Sequence, residues 1–308
     1  MLATTADVIR AATPPPETLD WAVRAVEGAR LASVTALRGG VSHANHRLRI
    51  ALPSGAKADV VLRRAVRTDS VDEDAAYSPA QEIAAYGLLA RSAVPAPRLI
   101  AADPDAACCD VPALLLTLSP GRPSLRPADL AAFVRGLAEA LPAVHAVDPD
   151  AAAAVVPPYR PFYRRAQLAP PGWSRRPEIW TRAIGRFDAM PPISVPVFMH
   201  RDYHPGNTLW SGGRLTAIVD WTLASFGPAE FDLAHMRANL AVSYSLETAD
   251  AFLAAYGDAV GQVVSYDPWW DLRAVLDWVP ELPAGSRPGA ALQRFETLVA
   301  RAVAAIGA

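Results

Sequence analysis

The chain has 308 residues, 52% of them hydrophobic and 19% charged, with 29 basic against 31 acidic side chains and a formal net charge of -2. That much apolar content can bury a large core and excludes a disordered chain, while the balanced charge provides no basic field for nucleic acid. The cysteines, Cys108 and Cys109, are adjacent and cannot staple a loop-rich scaffold, and neither a signal-like start nor a long uninterrupted apolar run suggests a membrane span. A cytoplasmic globular protein is expected, with no nucleic-acid or membrane partner. Lys57 is the only lysine, so 28 of the 29 basic residues are arginines.

The first third reads as β-rich with one helix. Leu31–Leu37 and His43–Leu52 alternate in part and are separated by Arg38-Gly39-Gly40, a hairpin-like connection. Pro53-Ser54-Gly55 turns the chain into a strand expected at Asp59–Val66, which leaves Lys57 before it. An acidic loop spans Asp69–Asp74. Ser78-Pro79-Ala80-Gln81 has the pattern of a capping box, Ser at N-cap, Pro at N1 and Gln at N3. The helix it opens is expected to run to about Ser92 and to bury Ile83, Tyr86, Leu89 and Ala90. Extended segments follow at Arg98–Ala102 and Ala113–Leu118.

Beyond Pro120-Gly121 the pattern is mostly helical: Pro127–His145, a stretch around Ser174–Ala189, Ala229–Tyr244, Glu247–Val260, Asp267–Val279 and Pro288–Ile306. Ala151–Pro161 reads as a connection. One extended island interrupts the helices, at Val195–Met199, Thr208–Trp210 and Arg214–Asp220, with a tight Gly212-Gly213 turn. Two domains are expected, 1–117 and 118–308, with a cleft between them.

The polar residues of the island sit where its apolar strands end. His200-Arg201-Asp202-Tyr203-His204-Pro205-Gly206-Asn207 follows the first strand, and Asp220 ends the last. Two carboxylates and an amide at neighbouring strand ends suit a hard cation such as Mg²⁺. They also allow one group to take the proton of a hydroxyl while the others hold metal. A zinc site built from His43, His46, His200 and His204 is the rival, but it lacks cysteine partners and helical His spacing.

HRDYHPGN followed by IVDW resembles the catalytic loop and metal-binding Asp of the aminoglycoside phosphotransferase and choline-kinase-like family. The resemblance extends from about Leu37 to Leu240. It implies an α+β, two-lobed, protein-kinase-like fold, with a small antiparallel sheet and one helix in the N-terminal lobe and a larger helical C-terminal lobe. It also implies transfer of the γ-phosphate of ATP or GTP to a hydroxyl of a small molecule, an antibiotic or a metabolite such as an amino alcohol or thiosugar. By position, Asp202 is the base, His200 braces the loop, Asn207 and Asp220 hold Mg²⁺, and Asp232 of GPAEFDLAHMR supports the catalytic loop. The turn with Gly39, Gly40 and Ser42 covers the phosphates, Glu82 pairs with a basic residue of the third strand, and Leu116–Ser119, with Leu116 and Leu118, faces adenine.

At the third strand the chain departs from the family, which usually has lysine there. VVLRR places Val61 and Arg63 on one face and Leu62 and Arg64 on the other, and Arg63 aligns with the missing lysine. That substitution keeps a noncatalytic nucleotide-binding module as the alternative. For the acceptor, Glu230 and the stretch Asp267-Pro268-Trp269-Trp270-Asp271, above all Asp267 and Trp270, are the candidate wall, with Trp278 and Glu281 further on. Tryptophans beside carboxylates suit a cationic or sugar-bearing ligand, although Trp270 and Trp278 are also ordinary core residues.

Overall fold

The computed structural model describes residues 12–37, 43–66, 78–187, 189, 191–279 and 289–307. The turn with Gly39, Gly40 and Ser42, the acidic loop Asp69–Asp74, and Glu281 lie outside the described residues. The chain divides into two units, the first reaching Pro120 and the second running from Gly121, with Ala93–Pro95 grouped with the second.

The first described element of the first unit is helix α1 (Pro16–Arg24), absent from the sequence-based expectation of one helix. The preceding prolines suggest coil, yet Pro16 occupies a first-turn position where no amide is needed, Glu17 sits at the N-terminal end and Arg24 in the last turn. Strands β1 (Arg30–Ala36), β2 (His43–Ala51), β3 (Lys57–Ala65), β4 (Leu99–Asp103) and β5 (Ala113–Thr117) form one sheet in the order β1-β2-β3-β5-β4, every pair antiparallel. Lys57 is the first residue of β3 rather than a residue before it, exposed and paired with Ala51 at the far end from Arg63.

Both faces of the sheet are covered. Leu48, Ile50, Val60, Leu62 and Leu115 form a buried cluster with Ala22 of α1. On this face Arg64 is buried, donating from Nε to Asp110 Oδ1 at 3.1 Å and from a terminal nitrogen to Oδ2. Thr18 of α1 donates to the same carboxylate at 2.9 Å and accepts from the Asp110 amide. The opposite face carries Arg63 and Leu114, which stand side by side in register. Helix α2 (Pro79–Leu89) supplies Glu82 to that face.

Ser78 is the N-cap of α2, but its side chain makes no capping bond, so the serine half of the expected capping box is not formed. The buried stripe is Glu82, Ala85, Tyr86 and Leu89, with Leu88, whereas Ile83 is half-buried and Ala90 exposed. The helix has turned so that Glu82 faces inward. This stripe follows the i, i+3, i+4, i+7 rule once Glu82 is counted among the buried positions.

In the second unit, α3 (Leu130–His145) begins three residues later than expected, because Asp129 caps it by accepting from Ala132 N at 2.8 Å. A short helix, α4 (Pro149–Val155), occupies part of the segment read as a connection. Then come α5 (Pro177–Gly185), strand β6 (Pro196–Met199), the hairpin β7 (Thr208–Ser211) and β8 (Arg214–Ile218), and β9 (Ser225–Pro228). β9 was not expected; it pairs antiparallel with β6. The hairpin turn has positive φ at both Gly212 and Gly213, as a two-residue loop matched to strand twist requires. Helices α6 (Ala229–Ser243), α7 (Leu246–Val260), α8 (Trp269–Leu276) and α9 (Ala290–Gly307) complete the unit. α6 is buried almost all round and is its central helix. Among the described residues no single helix is long and apolar enough to cross a membrane.

Gly121 begins the second unit with φ at +100°, and a Cβ there would lie 2.6 Å from the Trp210 carbonyl oxygen. Neither atom can move without breaking the paired bonds between Arg122 and Trp210. Gly121→Ala should therefore lower stability by at least ~2 kcal/mol. Gly87→Ala, on an exposed helix position with open space around it, should raise it by ~0.5–1 kcal/mol. Urea midpoints of the two variants check the contrast.

Candidate functional site

The loop from His200 to Asn207 is held from three sides. Asp232, fully buried on α6, accepts from the backbone amides of His200 at 2.8 Å and Arg201 at 2.7 Å. Its Oδ2 also lies 3.3 Å from His145 Nε2. Tyr203, also fully buried, donates its hydroxyl to the Leu137 carbonyl of α3 at 2.8 Å, and burial pushes that phenol well above its ordinary pKa. The Arg201 guanidinium donates to the Arg160 carbonyl and lies 3.9 Å over the Phe162 ring.

His200 joins this loop to the end of β8. Its Nε2 is 3.0 Å from the Val219 carbonyl, and its Nδ1 accepts from the Asp202 amide at 3.2 Å. Those partners place the ring hydrogen on Nε2. The ring is fully buried, packs on Trp221 and does not face the site with a free nitrogen. Trp221 in turn stacks on Phe198 and donates to the Ile218 carbonyl. The tryptophan after Asp220 is thus part of the core that fixes the strand end.

Asp202 and Asn207 meet directly. The Asn207 amide nitrogen donates to Asp202 Oδ2 at 2.9 Å and to the Asp202 carbonyl at 3.0 Å. This commits Nδ2 and leaves Oδ1 as the amide's acceptor atom. The Asn207 carbonyl accepts from Val219 N at 2.9 Å, so Asn207 and Asp220 are tied through the residue next to Asp220. The Asp220 carboxylate accepts from the Thr222 hydroxyl. Arg201 and Asp220 both have positive φ, 68° and 67°, and account for two of the three described non-glycine residues in that region. Such backbone persists only where surrounding contacts over-determine it.

Two further histidines surround Asp202. His235 of α6 places Nε2 3.1 Å from Asp202 Oδ1, and His204 Nε2 lies 3.7 Å from Oδ2. His204 Nδ1 accepts from Gly206 N at 3.1 Å. Burial draws the Asp202 pKa upward, but the hydrogen bond from His235 and the neighbouring histidines outweigh it and hold the carboxyl below its usual range. Burial pushes His204 below the ordinary imidazole value. Neither His204 nor His235 was singled out as a partner of Asp202 from the sequence. A signal was present: His235 is three residues after Asp232 on one helix, so the two share a face.

In the first unit, Arg63 Nε lies 2.8 Å from Glu82 Oε1, and His43 Nε2 lies 3.8 Å from Oε2. Glu82 is fully buried, which removes the reading of it as a surface residue near a helix start. Leu116 is buried within β5 and Leu118 follows the strand half-buried. His43 and His46 belong to β2, in the first unit, whereas His200 and His204 belong to the second. Among the described residues no group of three or more His, Cys, Asp or Glu side chains is arranged to hold a metal ion.

The candidate acceptor residues Glu230, Asp267 and Trp270 line one cavity of about 520 Å³ in the second unit, with Tyr266 and Ile306. Ser194 donates to Glu230, and Asp267 accepts from the Trp269 amide at 2.8 Å. Trp270 is only 4% exposed and packs with Met199 and Phe231, so it is chiefly a core residue. Asp271 does not line this cavity. It forms a buried two-bond pair with Arg237 at 3.0 and 3.1 Å and accepts from the Tyr266 hydroxyl at 2.6 Å. Trp278 stacks on Phe295 and meets His235 edge-on.

Residues 33–269 match the model of the phosphotransferase enzyme family, APH. No curated protein matches the chain at a significant level. Among solved structures, a Ralstonia eutropha protein described as an aminoglycoside phosphotransferase is similar with a TM-score of 0.62 at 16% identity, over 96% of this chain and 99% of its own. The macrolide 2'-phosphotransferase of Brachybacterium faecium gives 0.55 at 21% identity, over 94% and 92%. An aminoglycoside phosphotransferase in complex with ADP and hygromycin B gives 0.60 at 14% identity, over 94% and 97%. At these identities the structural likenesses establish the fold. The family match spans more than half of the sequence and includes every residue of the loop, of Asp220 and of Asp232, and on that ground the chain belongs to the phosphotransferase enzyme family.

Proposed function

We propose that the protein transfers the γ-phosphoryl group of ATP or GTP to a hydroxyl of a small molecule. The observation that carries this reading is Asp202 beside Asn207, with the carboxylate hydrogen-bonded on both oxygens and held ionised at neutral pH. A relative of the same fold is known in complex with ADP and hygromycin B, which supports a nucleotide and a hydroxylated acceptor as the two partners.

In this reading the acceptor hydroxyl gives its proton to an Asp202 carboxylate oxygen. The hydroxyl oxygen then bonds to the γ-phosphorus as the bond to the β–γ bridging oxygen breaks, and the nucleoside diphosphate leaves. Asn207 Oδ1 and the Asp220 carboxylate are hard oxygen donors at adjacent strand ends and fit Mg²⁺, which neutralises phosphate charge when bound. His200 and Asp232 hold the loop. Arg63, oriented by Glu82, would meet phosphate oxygens in place of the usual lysine, and the backbone at Leu116–Leu118 would face the base. Glu230, Asp267 and Trp270 would wall the acceptor.

The test is a Mg²⁺-dependent nucleotide-consumption assay with ATP and GTP across hygromycin B, a macrolide, amino alcohols and a thiosugar. Acceptor-stimulated release of diphosphate is expected for at least one compound. Nucleotide binding without turnover for every compound would favour the noncatalytic module.

A further inference from the structure

We infer that His235 is a positioning residue for phosphoryl transfer, fixing the plane of the Asp202 carboxylate from the side opposite Asn207. The inference rests on the reading of Asp202 as the base. A carboxylate turns easily about its terminal torsion, which is broad and nearly two-fold. Asp202 stands on a loop with its side chain 33% exposed, so a single bond from Asn207 to Oδ2 would leave that rotation open. His235 Nε2 occupies the other oxygen, Oδ1, at 3.1 Å. Each oxygen keeps an acceptor site, and the plane they define is set.

His235 is suited to this because it is itself immobile. Its backbone lies in the buried middle of α6, its side chain is 7% exposed, and Trp278 meets the ring edge-on with centroids 5.6 Å apart. Its Nδ1 is buried and has no hydrogen-bond partner among the described residues. No competing bond therefore turns the ring away, and the ring hydrogen belongs on Nε2, since two bare acceptors would repel at that distance. An apolar side chain would fill the same space without the cost of desolvating an imidazole nitrogen. What offsets that cost is the bond to Asp202. His204 does not share the role, because its Nε2 is 3.7 Å from Oδ2, beyond hydrogen-bond reach, and its Nδ1 is held by Gly206.

The experiment compares His235→Gln, whose amide nitrogen reaches about as far as Nε2, with His235→Asn, one bond shorter and equally polar. Mg·ATP turnover with the best acceptor of the panel above and melting temperatures are measured for both, alongside Asp202→Asn. His235→Asn should lose about tenfold to a hundredfold in kcat, with the KM for Mg·ATP within about twofold, and His235→Gln should recover most of the loss. Wild-type kcat in His235→Asn, or an equal loss in both variants that tracks their melting temperatures, overturns the inference. If Asp202→Asn is inactive while both His235 variants are normal, the inference alone fails. Full turnover in Asp202→Asn, or none in the unaltered protein with any acceptor, removes the reading beneath it.

Discussion

Asp202→Asn is expected to lower phosphoryl transfer by about a thousandfold or more while leaving the Kd for Mg·ATP within about threefold. The substitution keeps the size of the side chain and removes its charge and its basicity. Its local geometry changes as well. In the native site both carboxylate oxygens accept, Oδ2 from Asn207 at 2.9 Å and Oδ1 from His235 at 3.1 Å. A carboxamide has one accepting oxygen, so its amino group must face one of those two donors, and the side chain is driven out of plane. The proposed metal donors, Asn207 Oδ1 and Asp220, are untouched, as are the amide bonds from Asp232 that hold the loop. A coupled assay of diphosphate release with calorimetric titration of Mg·ATP separates the two effects. Retained turnover would remove Asp202 from the mechanism.

The second large effect concerns adjacent arginines on opposite faces of β3. Arg63→Ala should raise the KM for Mg·ATP by more than about tenfold, a loss of ~1.4 kcal/mol or more. Arg64→Ala should change it by less than about twofold yet cost ~1–3 kcal/mol of stability, since it removes a buried side chain that donates two hydrogen bonds to the partly exposed Asp110. Both side chains are buried, Arg63 5% and Arg64 1% exposed, so burial does not distinguish them; their partners do. Arg64 is spent on Asp110, which also receives Thr18, and thereby ties α1 to the sheet. Arg63 is oriented by Glu82, as the family's third-strand cation would be. Arg63→Ala will also destabilise the first unit, because Glu82 is fully buried and would lose the guanidinium 2.8 Å away. The discriminating measurement is the KM for Mg·ATP set beside the melting temperature of each variant. Equal effects of the two changes on KM would undo the alignment of Arg63 with the missing lysine.

Much of this is legible in the sequence. Strand alternation placed Arg63 and Arg64 on opposite faces, and the spacing of Asp202, Asn207 and Asp220 pointed to neighbouring strand ends. The Gly212-Gly213 turn and the helices from Ala229 onward were recognised from local pattern alone. Misjudged elements were those whose stability is not local. Helix α1 is short and follows prolines, and it is held by packing on the sheet and by Thr18 at Asp110. β9 is a four-residue strand that exists because β6 is beside it. The inward turn of α2 follows from Glu82 finding Arg63 and His43, which no propensity reports.

The sequence by itself determined the chemistry on offer: a carboxylate, an amide and a second carboxylate at strand ends, and an arginine where the family has lysine. Only the tertiary structure decided which groups complete the site and which are committed to the core. It turned Asp271 into the partner of Arg237, buried Trp270 against Met199 and Phe231, and brought His235 to Asp202 from 33 residues away. The physical reason is that hydrogen bonds and ion pairs are satisfied in space. A residue's type and spacing state what it can donate or accept, and burial against distant elements decides what it meets.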